Sequence, residues 1–164
     1  MAMVHLICGM ICSGKSHYAG RLREELNGLI LSTDEITLSL PQEVIGDCFD
    51  RVSDGVNAYL MRKSLDVLAT GTDVILDWGF WTAEKRSEIR EFYRQHGVEF
   101  WFHYIDVDRD TLARNISERN RRVEAGETAA FFVDEGLAEK CRGLFVVPSR
   151  DEMDVWVDNR RQGV

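Results

Sequence analysis

Proline is scarce in this 164-residue chain, limited to Pro41 and Pro148, and no Ser/Gly-rich stretch interrupts it. Without linker composition, repeats or low-complexity runs, residues 1–164 read as a single domain. Four cysteines, Cys8, Cys12, Cys48 and Cys141, show no CxxC spacing. Neither a zinc knuckle nor a dithiol redox pair is expected, and reduced thiols fit a cytoplasmic protein. His5, His17, His96 and His103 are scattered too, which argues against a His/Cys metal cluster. No apolar run approaches the roughly 18 residues of a membrane span, and the apolar start MAMVHLICGM lacks the basic flank of a signal peptide. A soluble intracellular protein with no membrane partner is the expectation. Positive charge is also in deficit: 20 Lys and Arg against 28 Asp and Glu give a net charge of -8. An extended nucleic-acid surface needs clustered cations, so that function class is disfavoured.

What the chain does have is alternation. Short apolar runs at 4–8, 29–31, 74–76, 98–107 and, more weakly, 154–157 are separated by helical patterns at 15–26, 53–69, 110–122 and 134–142. A further helix is predicted from Thr82, a good N-cap, to a stop at Gly97. In the first helix Tyr18, Ala19, Leu22 and Leu26 form one apolar stripe. Strands alternating with helices of this length imply βαβ units, hence an α/β three-layer fold around a mostly parallel five-stranded sheet.

Between the first strand and first helix lies Gly9-Met10-Ile11-Cys12-Ser13-Gly14-Lys15-Ser16, the spacing GxxxxGK[ST] of a P-loop. Glycines let backbone N–H groups close around phosphate oxygens, and the helix behind them turns its positive dipole end to the same anion. Lys15 is expected at the β- and γ-phosphates of ATP, and the Ser16 hydroxyl on Mg²⁺. His17, directly after, is assigned to packing or contact on the adenine side.

Three further segments narrow the chemistry. Asp34, in Leu31-Ser32-Thr33-Asp34-Glu35, follows the second strand, where strand ends share a crevice with the P-loop; a carboxylate there can take a proton from an attacking hydroxyl. The competing reading is a helix cap formed by Thr33 or Asp34. Asp77 ends an apolar strand, as a Walker B acid holding Mg²⁺ does, and Trp78, Phe80 and Trp81 after it are candidates to line an acceptor pocket. Residues 109–122 hold five arginines against Asp110 and Glu118. A lid over about 109–133 would bring Arg114, Arg119 and Arg122 to the transferred phosphoryl group and its acceptor.

With these segments assembled, the chain resembles the small P-loop kinases related to zeta toxins, chloramphenicol phosphotransferase and the polynucleotide 5′-kinase domain. The likeness rests on the P-loop, the Ser32–Glu35 turn, Leu76-Asp77-Trp78 running into Thr82–Arg86, the R-x₄-RN pattern of Arg114 and Arg119-Asn120, and the segment from Phe132 to Phe145 with Pro148 beyond it. It implies strand order 2-3-1-4-5, phosphate and Mg²⁺ binding by Lys15 and Ser16, Asp34 as general base and Arg119 as the lid residue. Ile11-Cys12-Ser13 departs from the usual Pro-Gly-Ser run, and Thr33 stands where an Arg commonly precedes the acid. The resemblance implies transfer of the ATP γ-phosphate to a hydroxyl of a small molecule or nucleotide, without naming the acceptor. The competing readings are an adenylate-kinase-type nucleotide kinase and a nucleotide-binding or toxin-like regulator that acts through a partner. No NKxD-like segment supports a GTPase.

Overall fold

The computed structural model describes residues 1–159, with the side chain of Val44 excepted. Its centre is β1 (Val4–Cys8), a run whose residues are all buried, as expected of a strand covered on both faces. It pairs in parallel with β3 (Val74–Gly79) on one side and β4 (Phe100–Asp106) on the other. The short β2 (Leu29–Leu31) adds to β3, and β5 (Val155–Asp158) adds to β4. The order is therefore β2-β3-β1-β4-β5, all parallel, as the resemblance implies.

Alternation divides the core. Leu6, Cys8, Leu76, Phe102 and Tyr104 pack on one face with Ile89 and Tyr93 of α5 (Ala83–Gln95). Ile7, Ile75 and Ile105 pack on the other with Ala19 and Leu22 of α1 (Lys15–Leu26). A register shift between Ile7 and Cys8 sets Cys8 opposite Gly79. The amide of Gly9 then donates to the Gly79 carbonyl at 3.0 Å, joining the start of the phosphate loop to the end of β3.

Three of the helices expected from the sequence start on side-chain caps. Thr82 accepts from the amide of Lys85 at α5, Asp108 from that of Thr111 at α6 (Arg109–Glu124), and Asp134 from that of Leu137 at α7 (Glu135–Leu144). Elsewhere the expectation is corrected. The segment that contains Asp34 is α2 (Thr33–Ser39), capped by Ser32 rather than by Thr33 or Asp34, with the Ser32 hydroxyl accepting from the amide of Glu35. It leads to α3 (Gln42–Ile45) and then to α4 (Phe49–Leu68), which begins four residues before the predicted start at 53. That first turn is anchored by a tertiary contact invisible in local sequence, Phe49 edge-on to Phe131 at 5.3 Å. No helix among the described residues is long and apolar enough to cross a membrane.

Candidate active site

The phosphate loop is shaped by backbone demands. Gly14 has φ of 99°, and a Cβ on it would lie 2.6 Å from the Asn159 side-chain nitrogen; at Gly9 a Cβ would meet the Ser13 hydroxyl at 2.7 Å. Gly14 caps α1 without a side-chain acceptor, so the first amides of the helix are left for an outside anion. Cys12 adopts φ of 58°, left-handed for a residue with a side chain. Two asparagines hold this turn: Asn115 of α6 donates to the Cys12 carbonyl at 2.9 Å, and Asn159, past β5, donates to the Ser13 carbonyl at 2.7 Å. The Lys15 ammonium folds back to the Met10 carbonyl at 2.7 Å. Burial pulls its pKa below the usual lysine value, opposed by the charges of Asp77 and Asp34.

Beside the loop, the Ser16 hydroxyl donates to Asp77 Oδ2 at 2.6 Å. The other oxygen, Asp77 Oδ1, is buried without a protein partner. Hard oxygen donors with one position unclaimed suit a divalent cation such as Mg²⁺, so these residues fit the group that the P-loop implies. Asp34 sits in the first turn of α2, held at the cavity because Trp78 Nε1 of β3 donates to the Leu31 carbonyl at 3.0 Å and Thr33 donates to the Asn57 side chain on α4. Burial raises the Asp34 pKa above the ordinary aspartate value; Lys15 counters this and Asp77 adds to it.

The arginine-rich segment is α6, and it reaches over the loop. Arg119 Nη1 donates to Cys12 Sγ at 3.5 Å, while its Nε is buried without a partner. Arg114 is one turn away, bonded to Thr111 at 3.1 Å, and Arg122 lies 3.8 Å from Glu127. Asn120 takes both backbone groups of Val133, accepting from its amide at 2.8 Å and donating to its carbonyl at 2.7 Å, which ties the segment after α6 to the helix.

These groups share one cavity of about 1980 Å³, lined by Lys15, Ser16, His17, Asp34, Asp77, Arg114, Arg119 and Arg122 among others. The aromatic residues after Asp77 divide. Phe80 is 6% exposed and belongs to the core cluster, so it packs the cavity floor rather than presenting a free face, and Trp78 stacks on it at 5.6 Å. Trp81 lines the cavity with its Nε1 buried and unpartnered. Gly9 and Met10 form the root of the loop, with Met10 buried, and Ile11, Cys12 and Gly14 line the opening. Sequence reasoning missed Asn115 and Asn159; the doublets Arg114-Asn115 and Arg119-Asn120 carried a signal for the former.

A family profile described as an AAA domain matches residues 4–145. No curated protein matches the sequence significantly. Among solved structures, the fold is similar to that of an unliganded sugar kinase from Janibacter sp., at 14% identity and a TM-score of 0.67 over 97% of this chain and 86% of that one. It is also similar to an APS kinase from Mycobacterium tuberculosis in complex with AMPPNP and APS, at 18% identity and a TM-score of 0.66 over 98% of this chain and 90% of that one. Shikimate kinase from Aquifex aeolicus follows at 19% identity and a TM-score of 0.56, over 98% and 88%. These likenesses establish a P-loop kinase-like α/β fold.

Proposed function

The chain belongs to the AAA domain family, and from that membership and the geometry of its site we propose that it is an ATP- and Mg²⁺-dependent phosphotransferase acting on a hydroxyl of a small molecule or nucleotide. One arrangement carries the reading. A desolvated carboxyl, Asp34, shares a cavity with the phosphate loop, and the charges of Lys15 and of Asp77, the partner of Ser16, act on it there. The solved kinases of similar fold, one of them complexed with AMPPNP, support the donor assignment.

The loop amides and Lys15 hold the β- and γ-phosphates of ATP, with Ser16 and Asp77 the residues that would hold Mg²⁺. That ion supplies charge neutralisation on the phosphates when bound. Asp34 accepts the proton of the acceptor hydroxyl as its oxygen forms a bond to the γ-phosphorus and the bond to the bridging β–γ oxygen breaks. A raised pKa suits this role, because a base poised nearer neutrality still ionises yet takes the proton more readily. ADP leaves with its new negative charge facing Lys15 and Arg119. Residues 109–133, α6 with the segment pinned at Val133, act as the lid, and residues 1–164 as one catalytic domain.

The test is transfer from γ-labelled ATP in a metabolite mixture, with Lys15→Ala as control. Label should move into a small organic product with the native chain and not with the variant. Absence of ATP binding by the native chain would refute the reading.

A further inference from the structure

Just past Asp77 the third strand stops being regular. Ile7 pairs with Asp77 and Cys8 with Gly79, so Trp78 has no counterpart on β1. Gly79 follows with φ of 85° and Phe80 with φ of 48°. Left-handed backbone is ordinary for a glycine and strained for a phenylalanine, and such strain persists only where the surroundings enforce it.

Here they do. The Gly79 carbonyl accepts from the amide of Gly9 at 3.0 Å, and the Trp81 carbonyl from that of Val146 at 2.7 Å. Between them, the Phe80 carbonyl accepts from Arg86 Nη1 at 3.1 Å and from Cys8 Sγ at 3.6 Å. Three successive carbonyls are thus held by groups from other parts of the chain.

Arg86 ties the arrangement together. It is fully buried, its Nη1 also donates to the Val146 carbonyl at 3.0 Å, and its Nε donates to Glu152 at 3.2 Å. Glu152 is fixed in turn, accepting from the amide of Ser149 at 2.8 Å. A guanidinium is expensive to bury unless it is matched, and two carbonyls and a carboxylate match this one. A lysine would bring one ammonium without the planar fork.

The turn that Arg86 holds begins two residues after Asp77, whose carboxylate meets the Ser16 hydroxyl and keeps one buried oxygen without a protein partner. We propose that Arg86 is a positioning residue for the cation site: by holding the left-handed Gly79–Phe80 turn it fixes where β3 ends, and so where Asp77 stands against Ser16. Two ligands on different elements serve one cation only if both are placed to within about 0.5 Å. Without the clamp Phe80 relaxes toward ordinary backbone, and the strand end carries Asp77 off the phosphate loop. The inference rests on the phosphotransfer reading for the identity of the cation.

The test reads metal and nucleotide separately. AMPPNP is titrated calorimetrically into the native chain, Arg86→Lys and Gly79→Ala, once with saturating Mg²⁺ and once in EDTA. The gain in affinity conferred by Mg²⁺ should fall about tenfold in both variants, while the affinity in EDTA stays within about twofold of native. Gly79→Ala leaves the guanidinium and its partners in place and disturbs the turn itself, since its Cβ would lie 2.6 Å from Trp81 Nε1. It decides the matter if Arg86→Lys does not fold. A native Mg²⁺ gain that survives in a folded variant overturns this inference alone. So does an equal loss in both conditions, which would make the clamp a support of the fold only. No Mg²⁺ gain in the native chain overturns the cation assignment of the phosphotransfer reading, and this inference with it.

Discussion

The hydroxyl of Ser16 and the carboxylate of Asp77, 61 residues apart in sequence, meet at 2.6 Å. A strand end and a helix start are joined there by a charge-assisted hydrogen bond, and Asp77 keeps one buried oxygen free beside it. Were this pair purely structural, the free oxygen would be an uncompensated burial cost.

Ser16→Ala and Asp77→Asn should therefore each weaken Mg²⁺-dependent nucleotide binding, by about 10- to 100-fold in apparent metal affinity. Calorimetric titration of ATP with and without Mg²⁺ checks this. The metal-free affinity should change far less, and an equal loss in both conditions would assign the pair to loop stability alone.

Asn115 makes a second, more modest prediction. Its bond engages the Cys12 carbonyl, which on the proposed reading holds the loop in shape for its amides to meet a phosphate. Asn115→Ala should lower ATP affinity about fivefold, the worth of one hydrogen bond of about 1 kcal/mol. The effect should appear in nucleotide titrations while the urea midpoint stays nearly unchanged, since the side chain contributes little to the core.

The buried pair His5 and His103, bonded at 3.0 Å with Tyr18 completing the chain at 2.9 Å, predicts a pH dependence of stability. Burial, with His5 adding to it, pulls the His103 pKa from 6.5 down to about 4. Below the unfolded value the denatured chain binds a proton that the folded chain refuses. Stability is thus intact above about pH 6.5 and falls as pH drops toward 4, by on the order of 3 kcal/mol. Urea denaturation at pH 7 and pH 4.5 should show the loss in the native chain and a smaller one in His103→Gln.

Much of this arrangement was legible in the residues. The phosphate loop announces itself because backbone geometry leaves few alternatives at Gly14, and the apolar runs mark each strand. Asp77 could be placed at a strand end for the same reason. Other features depend on partners far along the chain. Phe80 lines the cavity and also belongs to the core cluster beneath it, two readings the sequence left open, and Arg86 is fully buried on Glu152, a partner 66 residues along the chain. The helix α2 was visible only as the capping alternative at Thr33 or Asp34, because Thr33-Asp34-Glu35-Ile36-Thr37-Leu38-Ser39 is rich in weak helix formers and carries no sustained apolar stripe; its stability comes from the Ser32 cap and from packing on α4. Asn115 and Asn159 act through backbone carbonyls of a distant loop, and for Asn159 no local pattern marks that role.

The central claim, that a phosphoryl group passes from a nucleotide in the loop to a hydroxyl at Asp34, is tested most directly by comparing ATP binding and label transfer in Asp34→Asn. The account predicts unchanged ATP affinity within about twofold and transfer reduced by about 10²- to 10⁴-fold, the usual contribution of a general base. Unchanged transfer by the variant would contradict it.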